Sequence, residues 1–274
     1  MNLLEIHREW LFDAADEPID RLVGQVSALV HKNGELPRDQ NPEDLDEDLH
    51  LEQRDFAEDL LGAAFVICQV YVSNIIGQVH STSMSVELKT DTPLALGGTA
   101  IVEVLKARRL FHRQRQERIE VGGESRLVVN DLSSKDNDAI RKKIASAQLE
   151  CRKSLLKAFP GAFGPVPAAL GLDASANYWK HRDEWGSESW SHAPTARPTT
   201  VDAIKGMGLD ETSTPINMTL AAKYFGVPTD SDDLAPLAHA ARDWAWAVAD
   251  TVDTELLTRK LVSPDWKWMS KRIA

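Results

Sequence analysis

The chain has 274 residues, of which 43% are hydrophobic and 27% charged, a composition typical of soluble globular proteins. Its formal net charge of −11 argues against wholesale nucleic-acid binding, although a local basic patch can still bind. The two cysteines, Cys68 and Cys151, lie in apolar helical contexts and predict buried free thiols. The first residues lack a signal peptide's basic end and apolar core, so we expect a cytoplasmic protein.

Two segments near the start of the chain differ sharply in composition. Residues 2–31 repeat apolar positions at helical spacing, which predicts two short amphipathic helices. Residues 35–59 hold eleven acidic residues against two arginines, a net charge of −9, and two prolines interrupt the first half. Such a run predicts a solvated loop or a mobile segment. The alternative is a mobile acidic arm that covers a basic surface elsewhere in the chain.

The stretch Leu60–Val79 contains no charged residue. Twenty uncharged residues are enough to span a bilayer, but four of them would need hydrogen-bond partners in hydrocarbon. These four are Gln69, Ser73, Asn74 and Gln78. Three small residues along the stretch permit close approach of a neighbouring helix: Gly62, Ser73 and Gly77. The pattern therefore favours the buried central helix of a soluble bundle, at about residues 54–80, with no membrane contact.

The next segment, Ser83–Thr90, alternates apolar and polar residues and predicts a strand or an extended linker. On such a strand, Glu87-Leu-Lys89 would resemble the Glu-x-Lys pattern of metal-dependent nucleases. That interpretation also needs a partner acid on an adjacent strand, and the sequence does not locate one.

A helix is predicted over Thr99–Arg118, and its second half carries a net charge of +5 with aromatic and imidazole groups interleaved. Basic helices that also carry aromatics bind phosphate backbones, so this half is a nucleic-acid-binding candidate for RNA. The alternative is a solvated helix end whose cations suit the helix dipole. The basic residues are Lys106, Arg108, Arg109, Arg113, Arg115 and Arg118.

Beyond this helix the pattern is again mainly helical. Residues 119–129 predict a short β-hairpin, and a long helix follows from Ser133 or Ser134 to Leu156. A stretch rich in proline and glycine ends it at residues 160–167. Asp173 or Ser175 is predicted to cap the next helix.

Three more helices complete the chain: Val201–Met207, Met218–Phe225, and a long one from residues 230–232 to about Val262. The fold class is therefore all-α or mainly α, a helical bundle around the central helix with at most one short β-hairpin. We expect a bundle over residues 1–160, which includes the acidic segment, and a second helical region over 161–274 packed on it. A single domain is the alternative.

The stretch Asn177–His192 holds three of the eight tryptophans and two of the eight histidines. If it is helical, His181, Glu184 and Glu188 share one face, and Asn177 lies one turn earlier on that face. One interpretation is structural, with the aromatic groups packed between helices. A second is a metal site formed by His181 with Glu184, Glu188 or His192. The third makes Asn177, His181 and Glu184 a catalytic group that acts on RNA, with the imidazole as general acid or base.

The sequence Ala176-Asn-Tyr-Trp-Lys-His181, within an all-helical chain, resembles the Asn/Arg-rich helix of HEPN-type proteins. Many abortive-infection and toxin–antitoxin components of prokaryotes belong to that group. The family's ribonuclease motif has an Arg upstream of its His, whereas the corresponding positions here are Ala174, Ser175 and Ala176. The resemblance therefore implies an inactive or partner-binding member.

The sequence as a whole favours a cytoplasmic helical interaction or regulatory protein, of a prokaryotic defence or toxin–antitoxin kind. We expect a protein partner or a homo-oligomer, and neither a metal nor another cofactor. The alternative is a HEPN-like, metal-independent ribonuclease that acts through Asn177 and His181. Phosphate-loop, dinucleotide-binding, zinc-protease and serine-hydrolase motifs do not occur in the sequence.

Overall fold

A computed structural model describes residues 19, 23–24, 47–99, 116–121, 124–129, 134–159, 163–185, 198–211, 216–228 and 233–262. Six α-helices run through this part of the chain: α1 (Glu47–Thr90), α2 (Ser134–Lys157), α3 (Ala168–Lys180), α4 (Pro198–Gly206), α5 (Asn217–Tyr224) and α6 (Ala235–Thr258). A short 3-10 helix, Arg182–Glu184, follows α3. Two strands, β1 (Gln116–Val121) and β2 (Glu124–Val129), form one hairpin. The prediction of a mainly α fold with one short β-hairpin is confirmed.

Helix α1 is longer at both ends than the sequence predicts, and the expected strand or extended linker over residues 83–90 is wrong. Two hydroxyls explain how this polar stretch remains helical. Ser85 Oγ donates to the carbonyl of Ser81 (3.0 Å), and Thr90 Oγ1 donates to that of Val86 (2.9 Å). Both groups are thus satisfied by a carbonyl one turn earlier, and they do not compete with the helix.

One side of α1 is a continuous apolar row, which confirms the buried central helix. Its members recur every three or four residues, as the helical repeat requires. All of them are less than 2% exposed: Leu61, Phe65, Cys68, Val72, Ile75 and Val79. By length and composition alone, Phe56–Thr90 is the one helical segment among the described residues that could cross a membrane, and it contains an 18-residue window with a mean hydropathy of 1.8. The core helix of a soluble protein meets the same criterion.

The second half of the acidic segment belongs to α1, so the predicted loop or mobile segment is wrong for residues 47–59. Glu58 is buried there. Its carboxylate accepts hydrogen bonds from the backbone N–H groups of Met218 (2.7 Å) and Thr219 (2.9 Å) and from the Thr219 hydroxyl (2.5 Å). These N–H groups begin α5, where they lack partners within the helix and the helix dipole is positive. Residues 35–46 lie outside the described part of the chain.

The hairpin is antiparallel, with Gln116 opposite Val129 and Val121 opposite Glu124. It confirms the hairpin predicted over residues 119–129 and begins three residues earlier. The helix predicted to reach residue 118 is therefore wrong at its end, because residues 116–118 are extended. In β1, Ile119 and Val121 alternate with charged residues, which is the two-residue repeat of a strand. Residues 100–115 of the predicted helix lie outside the described residues.

Helix α2 agrees with its predicted bounds to within one residue, but α3 begins earlier than predicted. Its N-cap is Pro167, with φ −55° and ψ 139°. Proline suits a helix entry because its fixed φ is compatible with the first turn and the missing N–H has no partner there. Asp173 and Ser175 are buried in the middle of α3, so their predicted role as caps is wrong.

The last three helices are confirmed with shifted ends. Helix α4 begins three residues before its predicted start. Helix α6 begins at Ala235 instead of residues 230–232, and the Ala235 N–H donates to Asp233 Oδ1 (2.9 Å). It ends at Thr258 instead of Val262. Of the two amphipathic helices predicted over 2–31, only residues 19, 23 and 24 are described, and they are helical.

The described residues divide into two compact units. One unit contains the described residues within 76–154 and 252–262, and the other contains the described residues within 19–75 and 155–251. Segments from before and after residue 160 contribute to both units, and the predicted division near that residue stays a prediction.

In the first unit, the segment that follows α1 is fastened to the end of α6. The Arg259 guanidinium donates to the carbonyls of Thr92 and Pro93 (both 2.9 Å). The Glu255 carboxylate accepts from the Ala95 N–H (3.0 and 3.2 Å) and also pairs with Arg259. Residues 92–95 are thereby held without secondary structure of their own.

Candidate functional site

Helix α3, in the second unit, carries the residues that the sequence singles out for chemistry. Its N-terminal half packs closely because it is rich in small side chains. A Cβ atom on Gly171 would lie 2.9 Å from Phe225 Cζ and 3.1 Å from Met207 Sδ, so a glycine is needed there. Phe225 also packs against Phe65 of α1, with ring centroids 5.9 Å apart. These contacts fix the position of α3 for the polar residues in its second half.

A polar network joins α3 to α1. Gln69 Nε2 donates to Asp173 Oδ1 (2.7 Å), to the Asp173 carbonyl (3.2 Å) and to Asn177 Oδ1 (2.9 Å). Asn177 Nδ2 donates to Asp173 Oδ2 (3.3 Å), and Lys180 Nζ donates to Gln69 Oε1 (2.6 Å). Gln69 and Asp173 are both buried. Buried polar groups that are bonded in this way fix one arrangement of two helices, because any other leaves them unsatisfied.

Asn177 therefore has a clear structural use. Its amide oxygen and its amide nitrogen are both engaged, with Gln69 and with Asp173. The network also supplies the partner that Gln69 was expected to need in an apolar setting. The catalytic role of Asn177 stays a prediction, while the arrangement of its amide favours the structural interpretation of this residue.

His181 lies at the point where α3 ends, so the single helical face predicted for residues 177–188 is wrong. Its backbone N–H bonds to the carbonyls of Asn177 and Tyr178 (both 3.2 Å), and a 3-10 turn follows. This turn brings His181 Nδ1 to 3.3 Å from Glu184 Oε1. Both side chains are more than half exposed. The structure thus brings together two of the three predicted catalytic residues by a route other than the predicted helix.

The residues on either side of His181 are held by α1. Arg182 Nη1 pairs with Asp59 Oδ1 at 2.7 Å, and Trp179 Nε1 donates to the same oxygen at 3.3 Å. The Trp179 indole lies directly over Gly62, where an added Cβ would be 2.3 Å from three of its ring atoms. Asp59 and Gly62 therefore fix the aromatic and the basic side chain that flank the imidazole.

The predicted metal site is not assembled in the part of the chain that the structure describes. No group of three His, Cys, Asp or Glu side chains there is arranged to hold a metal ion. His181 and Glu184 provide two such groups, and Glu188 and His192 lie outside the described residues. The metal interpretation stays a prediction.

The predicted RNA-binding residues are described at one position. Arg118 lies in β1, where only its backbone is described. The other five, Lys106, Arg108, Arg109, Arg113 and Arg115, lie outside the described residues.

The two thiols and the carboxylate of Glu87, which the sequence also marks as reactive candidates, are buried. Cys68 and Cys151 are free and buried, as predicted, and burial raises their pKa to about 12 and about 11. Both are therefore uncharged thiols at neutral pH.

Glu87 and Lys89 lie on α1 and not on a strand, so the structural premise of the Glu-x-Lys interpretation is wrong. Glu87 is buried and accepts a hydrogen bond from the Thr99 hydroxyl. Burial lowers the pKa of His80, while the charge of Glu87 opposes that change.

Comparisons of the chain with models of known protein families, with curated proteins and with solved structures found no match. The resemblance to HEPN-type proteins stays a prediction.

A second feature of α1 is an exposed, charge-free face. Val70 at its centre is 54% exposed, although it is apolar. The neighbours on this face are half-buried or exposed and recur every three or four residues: Leu60, Ala63, Val66, Ile67, Ser73 and Asn74. Leu60–Asn74 contains no Asp, Glu, Lys, Arg or His. We call these seven residues the charge-free face.

The sequence missed several residues that build this region, for different reasons. Gln69 and Gly62 stood out as polar and small positions in an apolar helix, yet nothing in the sequence named their partners on α3. Asp59 belongs to the acidic segment that the sequence predicts to be a solvated loop or a mobile segment, whereas its carboxylate binds Arg182 and Trp179. An acid immediately before a charge-free stretch is the available signal in the sequence, since such a residue lies within reach of whatever packs on the start of that stretch.

Proposed function

We propose that this chain is a cytoplasmic helical interaction or regulatory protein whose partner binds the charge-free face of α1. The observation that carries the proposal is the exposure of Val70 within a row of apolar and small residues. A single exposed apolar side chain is ordinary in a folded protein. A charge-free row of partly exposed apolar and small residues around such a side chain is typical of a surface that another molecule covers, because its burial removes apolar area from water.

The network on the adjoining side of α1 supports this proposal. Gln69, Asp173 and Asn177 hold α1 against α3 with satisfied hydrogen bonds. Such anchoring presents a rigid face, which reduces the entropy lost when a partner binds. A prokaryotic defence or toxin–antitoxin role accords with the resemblance of residues 176–181 to HEPN-type proteins, and it is part of the same proposal.

Replacing Val70 by glutamate tests the proposed face. The charge would have to be desolvated in an apolar contact, so we expect capture of the partner from a lysate of the host cells to fall at least tenfold. The control is Leu149→Glu, which adds the same charge at an exposed apolar position on α2. Quantitative mass spectrometry of the captured proteins reads out the result. An identical set of captured proteins for all three forms would contradict the proposal.

A second function, RNA cleavage, is favoured by the contact of His181 with Glu184. A carboxylate at Nδ1 orients an imidazole, and this leaves Nε2 for proton transfer. The exposure of both side chains makes them accessible to a large substrate. The departure of residues 174–176 from the family's motif stands against this function, so it ranks second.

The ribonuclease proposal predicts that His181→Ala abolishes cleavage of mixed RNA without loss of the fold. We expect Glu184→Gln to reduce the rate, because the imidazole would lose its charged partner. His239→Ala is the matched control, since His239 is an exposed histidine on α6. The assay compares purified proteins with and without divalent metal, and circular dichroism checks folding. Absence of cleavage by the parent protein, or equal cleavage by parent and His181→Ala, would eliminate this function.

A further inference from the structure

We infer that the charge-free face of α1 binds the same face of a second copy of this chain, in an antiparallel arrangement centred on Val70. This inference rests on the proposed function, because it names the partner of the proposed face. Three observations support it: the net charge of the chain, the order of side chains along the face, and the size of the face.

The charge of the chain restricts where two copies can meet. Each copy carries a formal net charge of −11, so two copies repel each other over most of their surfaces. The twenty residues of Leu60–Val79 include none that is charged at neutral pH. Contact there brings no like charges directly together. A partner of opposite charge would gain nothing from this face, whereas a second copy avoids repulsion by using it.

The order of side chains fits an antiparallel pair about Val70. In that arrangement Ile67 lies opposite Ser73 of the second copy, and Val66 lies opposite its Asn74. These two apolar side chains before Val70 thus each meet a smaller or polar one after it, and each match occurs twice by symmetry. Isologous contacts of this kind are the commonest in homo-oligomers. Two antiparallel helices also oppose their dipoles favourably.

The size of the face sets the strength of the contact. Leu60–Asn74 extends over about 21 Å of helix, and a helix with its side chains is about 10 Å wide. The covered area is therefore well below the roughly 800 Å² per partner of a standard stable interface. A weak dimer that forms at high protein concentration follows, and added salt will strengthen it by screening the repulsion between the two acidic chains.

Sedimentation equilibrium on the full chain tests the inference. The weight-average mass is expected to rise from that of a 30.4 kDa monomer as the concentration increases from about 1 to about 300 μM, a range that spans weak association. Val70→Glu places two like charges at the symmetry axis and should weaken association at least tenfold. Leu149→Glu should leave it within a factor of two. A constant monomer mass at all concentrations, or equal association of parent and Val70→Glu, would overturn the inference.

A second variant tests the geometry directly. Val70→Cys places a thiol at the symmetry axis, and mild oxidation should convert it into a disulfide-linked dimer. Cys68 and Cys151 are buried and do not compete. Leu149→Cys, with an exposed thiol away from the face, should remain largely monomeric. Equal cross-linking of the two variants would contradict the antiparallel contact.

These outcomes separate the inference from the proposed function. A chain that stays monomeric but captures a different protein through Val70 would retain the proposed function and overturn the self-association. A monomeric chain that binds phosphatidylcholine vesicles through Val70 would overturn both in favour of a bilayer. A dimer that depends on Val70 supports both.

Discussion

Replacing Gly62 by alanine will destabilise the protein by about 2–3 kcal/mol, although alanine is normally the better residue in a helix. The added Cβ would lie 2.3 Å from the Trp179 indole, well inside van der Waals contact. The indole is rigid, and its Nε1 donates to Asp59 Oδ1, so it cannot move aside without losing that hydrogen bond. We expect the ring to be displaced from α1 and its apolar area to become exposed.

The same substitution at Gly77 should have the opposite sign. No atom lies within 4 Å of a Cβ built on Gly77, and the residue is exposed on the same helix. Gly77→Ala should therefore stabilise the protein by about 0.5–1 kcal/mol through helix propensity alone. Urea unfolding, followed by circular dichroism and tryptophan fluorescence, measures both changes. Two substitutions of the same sign would show that the close contact of Gly62 with Trp179 does not control stability.

The helices themselves were largely predictable from the sequence, because periodic apolar residues and local capping determine them. Helix α2 was predicted to within one residue at each end, and the hairpin was predicted from its β-prone residues and paired glycines. The errors lie where a local pattern has two interpretations. Residues 83–90 alternate like a strand, yet Val86 is buried and Leu88 exposed on one helix, and the Ser85 and Thr90 hydroxyls bond to carbonyls one turn earlier.

The candidate site was less predictable, because its partners are remote in sequence. Gln69 and Asp173 are 104 residues apart, and only the folded chain brings them together. His181 and Glu184 were correctly paired, but by an assumed helix that ends at Lys180. Gly186 and the serines after it already disfavoured an unbroken helix in the sequence. The sequence does not identify the residues that contact these side chains. Those contacts depend on which groups are buried and hydrogen-bonded against α1 in the folded chain.

The buried carboxylate of Glu58 provides the second large effect. Glu58→Ala will remove an acceptor shared by two backbone N–H groups and one hydroxyl at the start of α5. Those N–H groups have no carbonyl partner within α5, and hydrogen bonds to a charged group contribute about 1.5–3 kcal/mol each, although they are not additive. We expect a loss of about 3 kcal/mol in the free energy of unfolding.

A second variant at Glu58 separates the effect of its hydrogen-bond acceptor from that of its negative charge, and a variant at Glu150 serves as the control. Glu58→Gln keeps one carbonyl oxygen and should lose about half as much stability, roughly 1–2 kcal/mol, since a neutral acceptor is weaker at a helix N-terminus. Glu150→Ala removes an exposed acid of α2 that pairs with Lys153 at 3.6 Å, and it should change stability by less than about 0.5 kcal/mol.

Hydrogen exchange localises the effect of Glu58. In Glu58→Ala, the amides of Met218 and Thr219 should exchange much faster than in the parent, while those in the middle of α2 should keep their rates under conditions where global unfolding is rare. This result would make Glu58 the residue that fixes the start of α5 on α1. Unchanged exchange at Met218 and Thr219 would mean that water replaces the carboxylate at little cost. The acidic run would then contribute solubility at this position instead of structure.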